Sequence, residues 1–164
     1  SPCKRRVPSE RIGGAYDVAV PAEWSCTPGA PEDGTDFPDA AVLSTHAPEG
    51  DTGVSLAVSA TSAPVWRFAL ADYLLCVFCE PDGWRVAAAT ALGSRCETAE
   101  AMRGSEAMVC RAWLRGGLIF VMAGVCPAAA LPRWLPLFSA AFDAFVPVPS
   151  GAVRLPSWSL SQMH

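Results

Sequence analysis

Residues 106 to 126, EAMVCRAWLRGGLIFVMAGVC, constrain the fold of this chain more than any other stretch. Two apolar runs flank a turn at Arg115, Gly116 and Gly117, and glycine tolerates the positive φ of a tight hairpin. Side chains on a strand alternate between the two faces of its sheet. Met108, Cys110, Ala112 and Leu114 therefore point one way, and Ala107, Val109 and Trp113 the other. In the second run Leu118, Phe120 and Met122 oppose Ile119, Val121, Ala123 and Val125. An antiparallel sheet with one wet face alternates apolar with polar residues; here only Arg111 interrupts. The sheet that contains this hairpin has to be covered on both faces.

The rest of the chain supplies candidates for the cover. GGAYDVAVPAEW opens with Tyr16, Val18 and Val20 on one face, and Pro21, which has no N–H for a ladder, closes the strand into a corner. Residues 25 to 39 collect proline, glycine and carboxylates and read as a surface loop. AAVLSTHA and TGVSLAVSA form a hairpin across PEGD. A helix is expected from Pro64 to Cys79, started by the proline and stopped by EPDG. Further strands follow in WRVAAATALG and, with a weaker pattern, CETAEAMRG. LPRWLPLFSAAFDAFV repeats Leu131, Trp134, Leu135, Phe138, Phe142 and Phe145 at helical spacing, with its start at Pro132 or Pro136. Residues 150–164 read as a flexible tail and residues 1–12 as a solvated basic arm, which leaves one domain over 13–149. The order of elements gives an α+β fold: a mostly antiparallel sheet sandwiched by two helices.

Charge and cysteine content narrow the function. The net charge is −4, and residues 13 to 60 hold eight acidic side chains without one Lys or Arg. Lys4, Arg5, Arg6 and Arg11 crowd the N-terminus, so no basic face for nucleic acid is present. No apolar run is long enough to cross a membrane, and no leader pattern is visible, which points to the cytoplasm. The alternative is an exported or lipid-anchored protein that has lost a signal peptide, with Cys3 near its mature start. Seven cysteines in apolar surroundings read as core thiols, with one or two, Cys3 among them, reacting fast in the folded protein. Cys76 and Cys79 have the spacing of a redox or half-zinc motif, but no second pair or histidine supports a metal site.

No catalytic signature appears. His46 in VLSTHAP has no nucleophile elbow to serve and reads as a strand-end residue; the other histidine is terminal. No phosphate loop is present, and the carboxylates fall in loops. The expectation is a protein that is not an enzyme and needs no cofactor or metal.

The pattern Y-x-V-x-V-P-x-x-W at the start, the element order, and F-x-x-F-V-P at the end resemble the PsbP-like α/β/α sandwich superfamily. It includes the photosystem II subunit PsbP, the Ran-binding Mog proteins, the DcrB lipoproteins and the Eag chaperones of type VI secretion effectors. The closest look is to the DcrB and Eag branch, because VP-x-x-W opens the domain and F-V-P closes it. The resemblance implies no shared catalytic residues.

Three covers are open for the doubly apolar hairpin: helices on opposite faces, a second copy of the chain in a homodimer, or the hydrophobic segment of a client protein. The first helix reads as apolar nearly all round, which makes it buried or bound. Candidate partner contacts are Trp66, Leu70, Tyr73 and Val77 on that helix and Arg111, Trp113, Ile119 and Val121 on the hairpin. The functional expectation is a protein-binding module, a chaperone or adaptor in a bacterial secretion-type system. An exported accessory subunit and an immunity protein that blocks a cognate toxin are the alternatives.

Overall fold

The computed structural model describes residues 2–9, 12, 14–29, 41–62, 69–93 and 95–148. The acidic segment at 31–39 and the tail at 150–164 lie outside the described residues. Among the described residues ten strands, β1 (Pro2–Ser9), β2 (Gly14–Pro21), β3 (Ser25–Pro28), β4 (Ala41–Ala47), β5 (Ser55–Ser62), β6 (Arg85–Ala91), β7 (Cys96–Arg103), β8 (Glu106–Arg115), β9 (Leu118–Pro127) and β10 (Val146–Val148), form two sheets. The larger has seven strands in the order β3-β4-β5-β9-β8-β7-β6; the smaller has three, β1-β2-β10. Every pairing is antiparallel.

The β8–β9 hairpin sits at the centre of the large sheet, where its two apolar faces require it. Gly116 and Gly117 make the two-residue turn at φ 57° and 76°, values that side-chain-bearing residues rarely adopt. The front face, with Val109, Phe120 and Met122, joins Tyr16, Val18 and Val20 of β2 in one core. Its cover is the small sheet together with α2 (Leu131–Ala144), which buries Phe138, Ala141 and Phe142. The rear face, with Cys110, Ala112, Ile119, Val121 and Ala123, forms a second core with Tyr73, Leu74 and Cys79 from the segment between β5 and β6. That segment crosses to the far edge at β6, and β6 to β9 then meander back to pair with β5. Helices on opposite faces thus cover the hairpin, the first of the three arrangements open to the sequence.

The rear helical layer differs from the expected regular helix. Ala69 is extended, at φ −71° and ψ 134°, so no continuous helix runs through it and the described helical run begins at Leu70; Pro64, the expected start, lies outside the described residues. After α1 (Leu70–Asp72) the run Tyr73–Cys79 is a π-helix, closed by a 3-10 turn over Glu80–Asp82. Tyr73 and Leu74 face the sheet, and so do Phe78 and Cys79 five residues later, which is the π repeat. Asp72 and Cys76 face solvent, so the layer is not apolar all round.

Three further expectations change. The N-terminal arm is strand β1 over Pro2–Ser9, with Arg5, Val7 and Ser9 half-buried and Lys4, Arg6 and Pro8 exposed. Arg5 Nη2 donates to the carbonyls of Trp24 (2.9 Å) and Pro21 (3.3 Å), and so fastens the VPAEW corner. Part of the expected loop at 25–39 is strand β3, paired with β4. Helix α2 starts at Leu131, and Pro136 lies inside it on the exposed side, where the unpaired carbonyl one turn earlier can meet water.

Candidate functional site

The expected partner residues fall on opposite sides of the large sheet. Tyr73, Ile119 and Val121 are interior residues of the rear core, and Leu70 packs against it half-buried. Their apolarity is explained by packing inside the monomer, so they are not a free surface. Arg111 is committed to the front cover: its Nη1 donates to Asp143 Oδ1 at 2.7 Å and its guanidinium lies 5.4 Å from the Phe142 ring centre. This contact ties β8 to α2. Trp66 lies outside the described residues, as does the side chain of Val77.

Trp113 is the expected residue that reaches a cavity. Its indole packs on Phe145 at 4.8 Å between ring centres, and it also lines a space of about 540 Å³ at one end of the sheet. The walls are Leu92, Gly93, Arg95 and Cys96 from the β6–β7 connection and Trp113, Leu114, Arg115 and Gly116 from the β8–β9 turn. Two backbone bonds set this geometry: Leu92 N–H donates to Cys96 O (2.9 Å) and Leu114 N–H to Arg95 O (3.0 Å). Leu92 is 51% exposed, the most exposed large apolar side chain among the described residues. Burial pushes the Cys96 thiol up, and the nearby Arg111 and Arg115 charges only partly offset it. The sequence gives no direct sign of this cavity, because it arises where two turns about twenty residues apart meet.

Two buried polar groups could suggest chemistry. Tyr16 Oη lies 2.5 Å from Ser44 Oγ, and Ser44 Oγ lies 2.9 Å from His46 Nε2. A serine beside a histidine is the start of a nucleophile–base pair, but all three side chains are sealed in the core where no substrate reaches. Burial pushes Tyr16 up to about 12, although its bond to Ser44 acts the other way. Burial, and then the Arg5 charge, lower His46 to about 4, so the imidazole is neutral. His46 is the strand-end residue expected, the penultimate residue of β4, and its side chain is fully buried. On the rear face, Cys110 is held well above the usual thiol range by a hydrogen bond shared with Cys79 and by burial. Among the described residues no group of three or more His, Cys, Asp or Glu is placed to hold a metal ion.

The sequence matches no known family model and no curated protein. The architecture does have solved counterparts. The solution structure of CyanoP, the cyanobacterial PsbP of Synechocystis sp. PCC 6803, superimposes with a TM-score of 0.61 at 14% identity, over 87% of this chain and 91% of that one. The fold is PsbP-like. PA94, a protein of unknown function from Pseudomonas aeruginosa, matches at a TM-score of 0.47 and 14% identity, over 90% of this chain and 99% of that one. No helix among the described residues is long and apolar enough to cross a membrane.

Proposed function

We propose that this chain is a non-enzymatic polypeptide-binding module that engages its partner at the strand-end cavity. The observation that carries the reading is Leu92, left 51% exposed beside a half-buried tryptophan on the wall of an open cavity. Exposed apolar side chains that line a concavity with an aromatic residue are the usual anchors of a protein contact. Trp113 is the expected partner residue that serves here directly. Leu70, Tyr73, Ile119 and Val121 would meet a partner only if the rear helical layer lifted.

The finer role is a chaperone or adaptor in a bacterial secretion-type system, working in the cytoplasm; it rests on the sequence resemblance of VPAEW and FDAFVPV. The sequence resemblance to the PsbP and DcrB proteins leaves a second reading, an exported accessory subunit. Codons for a hydrophobic leader and lipobox ahead of Ser1 would decide for the second reading.

The test of binding is capture from a lysate of the source organism with immobilised wild-type protein and with Leu92→Asp. A polypeptide retained by the wild type and lost by the variant, at equal melting temperature, is the expected result. Equal retention by both proteins, or none by either, would overturn the cavity as the binding surface.

A further inference from the structure

The strand-end cavity carries charge as well as apolar surface. Arg95 and Arg115 stand at its walls, both exposed, and no Asp or Glu lines it among the described residues. Of the other described arginines, Arg6 pairs with Asp17, Arg103 with Glu106 and Arg111 with Asp143, Arg5 donates to backbone carbonyls, and Arg85 and Arg133 have no carboxylate partner among the described residues. Arg95 and Arg115 have no such pairing. The nearest carboxylate in sequence, Glu97, pairs across the ladder with Ala112 and so belongs to the rear face, whereas its neighbour Cys96 pairs with Trp113 on the front.

Two unpaired guanidinium groups are therefore held beside an indole and two leucines in a chain whose net charge is −4. Arginine matches a carboxylate with two parallel N–H donors, a geometry that lysine cannot supply. We propose that the cavity takes an acidic–apolar peptide segment of the partner: Arg95 and Arg115 grip a carboxylate while Leu92, Trp113 and Leu114 hold the apolar side chain next to it. The proposal rests on the polypeptide-binding reading and adds to it the chemistry of the segment bound. Overall negative charge on the protein slows the approach of acidic partners. Selectivity must then come from the short-range contacts at these two arginines.

The probe is a set of short fluorescein-labelled peptides with Asp-Phe, Asn-Phe or Lys-Phe at the centre of one neutral sequence, titrated by fluorescence anisotropy. Wild-type protein is expected to bind the Asp-Phe peptide at least roughly tenfold more tightly than the Asn-Phe peptide, since a hydrogen bond to a charged group outweighs a neutral one by that margin. The double variant Arg95→Ala/Arg115→Ala should lose this difference. Arg95→Glu/Arg115→Glu should shift the preference to Lys-Phe. Both side chains are exposed, so the variants are expected to fold, and melting curves check that they do. Equal affinity for all three peptides, unchanged in the variants, would overturn the carboxylate site and leave a peptide-binding protein standing. Absence of binding to any of the three would also overturn it, and the Leu92→Asp capture then decides independently whether a polypeptide binds at all.

Discussion

The indole of Trp113 packs against the ring of Phe145 with 4.8 Å between their centres, so the aromatic wall of the cavity is also a wall of the front core. Phe145 in turn lies 6.0 Å from Phe120 and 6.2 Å from Tyr16. Trp113→Ala is therefore expected to cost folding stability as well as binding. For a half-buried tryptophan the loss is about 2 kcal/mol, less than the full large-to-small range. Leu92→Asp, at an exposed position, should stay within about 0.5 kcal/mol of wild type. Thermal melts of the two variants check this; an unchanged melt for Trp113→Ala would mean that the indole contributes nothing to the core.

Gly124 on β9 and Phe138 on α2 give a second test. A Cβ added at Gly124 would lie 2.5 Å from the Phe138 ring, closer than atoms can approach. Because the ring is fully buried and has nowhere to move, Gly124→Ala should destabilise the fold by about 1–3 kcal/mol through overpacking. Phe138→Ala should cost about 3–5 kcal/mol through the cavity it leaves. Combining the two should recover part of the Gly124→Ala cost, because the clash disappears; denaturant melts of the three variants measure that coupling.

Much of this arrangement was legible in the residues. The alternation of residues 106–126 placed each side chain of the hairpin on its observed face, and Phe138 and Phe142 announced the buried stripe of α2. The rear layer was less legible, because Tyr73, Leu74, Phe78 and Cys79 repeat at five-residue spacing and a helical reading assumes 3.6. Strand β1 was hidden by its charges: Arg5 points inward only because the carbonyls of the VPAEW corner are there to receive it. The cavity was hidden for another reason. Leu92 and Trp113 come together only once β6 to β9 have paired, and no local pattern announces that meeting.

His46 sets an expected pH dependence. Its folded value of about 4 lies below the ordinary 6.5, so between these values the unfolded chain binds the extra proton. Stability from this residue is complete above about pH 6.5 and is lost as pH falls toward 4, a contribution of about 3 kcal/mol. Denaturant midpoints measured from pH 4 to pH 7 should rise through this window, and His46→Asn should flatten the rise. A rise of the same size in the variant would assign it to other groups.

The thiols test the burial pattern on both faces. Cys3, Cys26 and Cys76 are exposed, Cys96 is half-buried, and Cys79, Cys110 and Cys126 are sealed; all are free. Three thiols, not one or two, should thus react fast with a chromogenic disulfide reagent in the folded protein, and all seven after denaturation. Fast labelling of Cys110 in the native state, read by mass spectrometry of peptides, would show that the rear helical layer does not close over the sheet.

The most direct test of the central claim, that the chain binds a polypeptide at the Leu92–Trp113 cavity, is calorimetric titration of the captured polypeptide into three proteins. These are the wild type, Leu92→Asp, and Val42→Asp, which alters a second exposed apolar side chain (44% exposed) on β4 toward the opposite edge of the sheet. The account predicts that Leu92→Asp weakens binding at least about tenfold, the scale of one lost anchor, while Val42→Asp binds as the wild type does. Unchanged affinity in Leu92→Asp, or a loss confined to Val42→Asp, would contradict it.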